Sequence, residues 1–145
     1  MNLKIILISL FLLITMTAFA QKARLERANK YFQEGNYEKS AKQCEKILYK
    51  IDDVNTKELL SISYLHLGNF DDAEFWLSRL VHNPEMDADY KLFYAACLCY
   101  NKRCEFGKNW LEAYEKEAYG DKRIPLLKFY LDRCEISKSE LQNLL

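Results

Sequence analysis

The chain has 145 residues, enough for one compact domain, with 50% hydrophobic and 29% charged residues and a formal net charge of zero. Its 21 basic and 21 acidic side chains give no electrostatic drive toward phosphate backbones or anionic lipid, so no nucleic-acid partner is expected. Neither sign forms a block; Lys and Glu alternate as they do on solvated helix faces.

The first predicted element is "MNLKIILISLFLLITMTAFA": a short start carrying Lys4, an apolar run from Ile5 to Ile14, then small-x-small at Ala18-Phe19-Ala20. That pattern reads as a signal peptide over residues 1–20, cut between Ala20 and Gln21. A membrane anchor needs roughly 20 apolar residues, more than this run holds, and no cationic cluster follows it. The mature chain is therefore expected not to be an integral membrane protein. Because Gln21, not cysteine, follows the junction, no lipid anchor is expected either. The predicted location is the periplasm, the exterior, or the outer-membrane surface. Losing Lys4 leaves the mature chain one charge negative.

From Lys22 onward the chain repeats itself. "YFQEGNYEKSAKQCEKIL" at 31–48 and "YLHLGNFDDAEFWLSRL" at 64–80 align on Gly35 and Gly68, 33 residues apart. Tyr31 then meets Tyr64, Asn36 meets Asn69, Tyr37 meets Phe70, Ser40 meets Ala73, and Cys44 meets Leu77. A weaker third copy puts Leu98 in the tyrosine's place, Lys102 in the glycine's, Cys104 in the aromatic's and Gly107 in the small residue's. Such a period predicts a stacked helical array, with repeats over 22–54, 55–87 and 88–120.

Apolar residues at three- and four-residue steps make each half-repeat a helix. Gly35 and Gly68 fall where the first helix must end, a place that favours left-handed backbone. The following asparagines suit turns and helix caps. Ser40, Ala73 and Gly107 let helix backbones approach closely, and Asn83-Pro84 is expected to stop the second helix of repeat two. Short turns force antiparallel neighbours, hence helix hairpins side by side. Residues 121–145 supply a capping helix over about 124–134, with Pro125 in its first turn. A short last helix follows, opened by a Ser137–Glu140 capping box and expected to dock on the array. The fold class expected is all-α.

The five cysteines are Cys44, Cys97, Cys99, Cys104 and Cys134. An odd number leaves at least one thiol free, and Cys97 and Cys99 point to opposite sides of a helix and cannot bridge. Burial as small hydrophobes is the reading for most of them. A Cys104–Cys134 bridge is open if the last two helices touch.

Little points to catalysis. Outside the leader there are two histidines, His66 and His82, and neither a phosphate loop nor a G-x-S-x-G elbow. Asp71-Asp72 begins a helix, where negative charge is favourable anyway. Cys97, Cys99 and Cys104 are close in sequence, but zinc needs four converging ligands. No catalytic, cofactor or metal site is assigned, and the chain is expected not to be an enzyme. A thiol-based redox or metal protein using those cysteines is kept as an alternative.

These residues resemble the tetratricopeptide repeat family. The resemblance rests on a small residue midway along the first helix (Ala28, Ser61, Ala95) and an aromatic one turn on (Tyr31, Tyr64). It continues with Gly-Asn in the turn, an aromatic opening the second helix (Tyr37, Phe70), and small residues on the seam. It covers about residues 22–118. Repeat one carries Asp52-Asp53 where that family usually has proline, and repeat three lacks the glycine and both aromatics. A narrower resemblance joins "RANKYFQEGNYEKSAKQCEKIL" and "NPEMDADYKLFYAACLCYNKRCEFGKNWLEAYEKE" to the N-terminal segment of Gram-negative OmpA-type and type IX secretion outer-membrane proteins. Only envelope location and scaffold character are carried over from it.

The resemblance implies a right-handed superhelix whose first helices line a concave, partner-binding surface. The inward residues it marks in repeat one are Lys22, Leu25, Asn29, Phe32 and Gln33. In repeat two they are Glu58, Ile62, Leu65 and His66. In repeat three they are Asp89, Leu92, Ala96, Cys99 and Tyr100. The family's cationic clamp for C-terminal carboxylates is not expected: Asn29 fits it, but Leu25 stands in the lysine's place, and Asp89 and Phe93 replace the bases. The function implied is an exported, non-catalytic scaffold binding a protein or peptide in the cell envelope, or an accessory subunit or remnant of an outer-membrane assembly.

Overall fold

The computed structural model describes the backbone of residues 3–145 and the side chains of residues 6–10 and 19–145. The described residues form helices and no strand. In chain order these are α1 (Leu3–Gln33), α2 (Tyr37–Leu48), α3 (Val54–Leu67) and α4 (Phe70–Leu77), then α5 (Asp89–Tyr100), α6 (Cys104–Glu117), α7 (Arg123–Arg133) and α8 (Lys138–Gln142). Of the expected leader, Met1 and Asn2 lie outside the described residues, as do the side chains of Lys4, Ile5 and residues 11–18. Ile6, Leu7, Ile8, Leu10 and Phe19 are exposed, and α1 runs through Ala20 and Gln21 without a break. Among the described residues no helix is long and apolar enough to cross a membrane.

Each helix from α1 to α6 packs on the next, and α1 also touches α3 while α5 touches α7 and α8. One turn recurs and sets this order. At Gly35 and Gly68 the backbone is left-handed, φ 73° and 67°. There the Gly35 amide donates to the Phe32 carbonyl and the Asn36 amide to Tyr31; Gly68 and Asn69 repeat the pair with Leu65 and Tyr64. This double bond satisfies carbonyls that a helix end would otherwise leave orphaned. Repeat three keeps the turn without the glycine. Lys102 is left-handed at φ 61°, with Lys102 donating to Cys99 and Arg103 to Leu98.

A fourth copy, unforeseen from sequence, closes α7. Cys134 has φ 52°, its amide donates to Leu131, and Glu135 donates to Tyr130. The expected capping helix is thus the first helix of a further hairpin whose second helix, α8, is short. Its Ser137–Glu140 capping box is formed in both directions.

Between the helices the small residues do what close approach requires. Ala28, Ser61 and Ala95, and Ser40, Ala73 and Gly107, are all buried. A Cβ on Gly107 would lie 2.9 Å from the Ala95 carbonyl oxygen, so α6 could not sit this near α5 with any side chain there. The core has two clusters. Ala28, Ala41, Cys44, Leu59 and Leu60 form the first, and a larger one runs from Leu65 and Phe70 through α5 and α6 to Leu141 and Leu144. Tyr64 packs against both.

Two local expectations need correction. α4 ends at Leu77, before Asn83-Pro84, because the bonds after it shorten to the i−3 pattern: Arg79 to Trp76, Leu80 to Leu77, Asn83 to Leu80. That tightening leaves Leu80 and Val81, consecutive residues, both buried. Asn69 does not cap α4 as Asn36 caps α2; its amide donates instead to Asp72, at 2.6 Å.

Candidate interaction surface

The residues marked for partner binding lie on α1, α3 and α5, and the structure divides them into three groups. Lys22, Asn29 and Gln33 are exposed on α1. They stand seven and four residues apart, close to two turns and one, hence lie near one side of the helix. Asn29 is held by its own helix, its amide donating to the Leu25 carbonyl at 3.1 Å.

Beside them is an aromatic cluster where α1, α2 and α3 converge. The half-buried Phe32 ring stands edge-on to Tyr37 (centroids 5.2 Å apart) and to His66 (5.7 Å), while Tyr37 and His66 stack at 4.3 Å. Such pairs add about 0.5–1.5 kcal/mol beyond their buried area. Partial burial lowers the His66 pKa below the ordinary imidazole value, keeping the stacked ring neutral. The sequence marks Tyr37 as the aromatic that opens the second helix and not as part of a surface. Its part in this cluster was invisible because the contact crosses two helix pairs.

The second group fills the molecule rather than lining a surface. Leu65, Leu92, Ala96 and Cys99 are fully buried, in one cluster with Leu141 and Leu144. The expectation that they face a partner is therefore corrected: the chain's own C-terminal segment covers them. α8 packs on α5, the Gln142 amide donates to the His66 carbonyl (3.3 Å), and Lys138 reaches the Leu67 carbonyl (3.4 Å). Leu25, Ile62 and Tyr100 are half-buried against the core, Tyr100 edge-on to Phe70 at 4.8 Å.

The third group is polar and already paired. Glu58 is half-buried beside Tyr90 and helps burial to raise that phenol's pKa. Asp89 accepts hydrogen bonds from Tyr114 (3.0 Å) and from both terminal nitrogens of Arg123 (2.8 and 3.1 Å). Arg123 also grips Asp121, whose Oδ2 lies 2.7 Å from the Tyr114 oxygen, so the single phenol proton is shared between the two carboxylates. These hydrogen bonds, with the arginine's first, hold the Asp121 carboxyl far below the usual carboxylate range. Asp89 thus works as an internal clamp joining α5 to α7, a role the sequence did not mark.

A further polar knot forms around the buried carboxylate of Glu74. Glu74 of α4 accepts from the Asn101 amide at 2.7 Å and pairs with Arg103. Both partners flank Lys102, so this knot fixes the one hairpin turn among the first three that lacks glycine. Among the described residues no buried polar side-chain atom is left without a partner.

What remains open is the α1 side: Lys22, Asn29 and Gln33 with the Phe32–Tyr37–His66 cluster. Exposed amides and an aromatic cluster, with a cation about 15 Å further along α1, can hold an extended or helical segment, and they offer no nucleophile with an adjacent base. Comparisons of the chain with protein-family models, with curated proteins and with solved structures gave no match.

Proposed function

We propose that this chain is a non-catalytic scaffold of the tetratricopeptide kind, a right-handed superhelix that binds a protein or peptide segment in the cell envelope along the open α1 side. The observation that carries the reading is the left-handed turn at Gly35, Gly68 and Lys102, each followed by a second helix bearing a buried small residue at Ser40, Ala73 or Gly107. Repetition of one hairpin on such a seam builds extended surfaces, which in repeat proteins serve recognition. The envelope location is supported by the leader pattern, by its exposed apolar residues Ile6 to Leu10, and by a Cys104–Cys134 disulfide, which suits an oxidising compartment.

The test is site-specific photo-crosslinking, with the protein expressed from its own leader and the envelope fraction analysed. A crosslinker at Asn29 or Gln33 is expected to give discrete protein adducts that weaken several-fold with Lys22→Glu. Crosslinkers at Tyr49, after α2, and Tyr119, after α6, both exposed and neither on α1, are expected to give none. Adducts from all four positions alike, or from Tyr119 alone, would contradict the reading. A second reading, thiol chemistry, is favoured by the separation of three sulfur atoms near the fourth turn.

A further inference from the structure

Three of the five cysteines meet where α5, α6 and α7 end or begin. Cys104, the first residue of α6, is bridged to Cys134, the left-handed residue closing α7, with Cα atoms 5.5 Å apart. Cys99, on the last turn of α5, keeps a free thiol whose sulfur lies 3.9 Å from that of Cys104. Free thiols of Cys44 and Cys97 are buried elsewhere, Cys44 in the first core cluster. A free sulfur in contact with a bridged one is the reactant geometry of thiol–disulfide exchange.

We propose that Cys99, Cys104 and Cys134 form an internal exchange site, in which the Cys99 sulfur displaces Cys134 from Cys104. The Cys99 thiol gives its proton to water and its thiolate attacks the Cys104 sulfur. The Cys99–Cys104 bond forms as the Cys104–Cys134 bond breaks. Cys134 leaves with the electron pair as a thiolate and takes up a proton from water. One disulfide and three thiols exist before and after, so no oxidant or reductant is consumed.

The surroundings suit the step. Cys99 and Cys104 flank the four-residue link through Lys102, so a bond between them spans a turn already closed by backbone hydrogen bonds. The Lys102 ammonium donates to the Cys134 carbonyl at 3.1 Å, holding a cation on the backbone of the residue whose sulfur departs. Burial pushes the Cys99 thiol up to about 11, with Lys102 and the Glu135 amide pulling the other way. Exchange is accordingly slow at neutral pH and quickens about tenfold per unit up to that value, as the thiolate fraction grows.

The consequence is mechanical. In the first connectivity the turn between α7 and α8 is tied to the start of α6; in the second it is untied, and a half-buried thiol stands at Cys134. The segment covering Leu65 and Leu92 then keeps its packing and its hydrogen bonds to the His66 and Leu67 carbonyls but loses its covalent tie.

Thiol counting and disulfide mapping test this directly. The protein is equilibrated in a glutathione buffer that fully oxidises the wild type to one bridge, then acid-quenched, denatured and alkylated. Cys134→Ser keeps four cysteines; the proposal expects two free thiols, with Cys99 joined to Cys104. Four free thiols in a variant that retains its helical circular dichroism would overturn it. Should that variant not fold, the wild type decides the matter after incubation at pH 9. Trypsin cuts at Lys102 and Arg103, separating Cys99 from Cys104, so a crosslinked peptide pair with Cys134 alkylated reports the exchanged form. Its appearance, ten times faster at pH 9 than at pH 8, is expected. Its complete absence after a day, with Cys104–Cys134 intact throughout, would overturn the proposal. Cys99→Ser is expected to show the original bridge alone.

Discussion

Gly35 and Gly107 are both glycines in helical hairpins, and the reasons each must be glycine differ. Gly35 is left-handed with open space where a Cβ would go, so its requirement is conformational only. Gly35→Ala is expected to cost roughly 1 kcal/mol in urea unfolding, the left-handed penalty alone. Gly107 is helical, but a Cβ there would meet Leu131 at 2.6 Å and the Ala95 carbonyl at 2.9 Å. Backbone cannot swing aside as a side chain can, so Gly107→Ala is expected to cost about 1–3 kcal/mol through overpacking. Equal costs at the two sites would mean the α5–α6 contact is looser than described.

Asp121 gives the residue scale its pH dependence. The native state binds this carboxylate through Arg123 and Tyr114, while the unfolded chain's aspartate titrates near about 3.9. Its contribution is therefore complete above that pH and is lost as pH falls through the lower native value. Urea midpoints at pH 6 and pH 3 check this. Asp121→Asn is expected to lower the midpoint at pH 6 and to shrink the drop between the two; an unchanged drop would place acid sensitivity elsewhere.

At the scale of the element, the hairpins were readable where their punctuation was written in special residues. Gly35-Asn36 and Gly68-Asn69 announced their turns because left-handed backbone is cheap for glycine, and Ser137-x-x-Glu140 announced α8 because a capping box is local. The third turn was found only by counting from the second. The fourth was missed, although Tyr130 stands four residues before Cys134 as Tyr31 and Tyr64 stand before their glycines. There a disulfide and the packing of Ile136 and Leu141 hold a turn that no local residue preference announces. On the candidate surface, the α1 residues come from the family resemblance, and the structure leaves Lys22, Asn29 and Gln33 exposed. The burial of Leu65 and Leu92 was not legible, because it depends on where α8, which begins 46 residues beyond Leu92, folds back.

That tail makes a testable element. Leu141 is fully buried in the larger cluster, so Leu141→Ala is expected to cost about 2–5 kcal/mol of global stability if α8 belongs to the cooperative core. Ser137→Ala, which removes one side of the capping box, is expected to cost about 0.5–2 kcal/mol. A loss below about 0.5 kcal/mol for Leu141→Ala would show instead that α8 frays independently, leaving the α5 face open.

For the whole molecule, what matters is that one turn recurs at Gly35, Gly68, Lys102 and Cys134, spaced 33, 34 and 32 residues apart. No single hairpin has enough apolar surface to bury its own seam, so the hairpins depend on one another, and the two clusters bridged by Tyr64 form the resulting shared core. The C-terminal hairpin ends the stack and covers its α5 side, while α1 keeps polar residues and an aromatic cluster available. Solution nuclear magnetic resonance puts this order to its most direct test, by reading φ from backbone couplings and Cα shifts at residues 35, 68, 102 and 134. The account predicts positive φ at all four, with helical values between them. A continuous helical φ through Gly35 or Gly68, merging two helices into one, would contradict it.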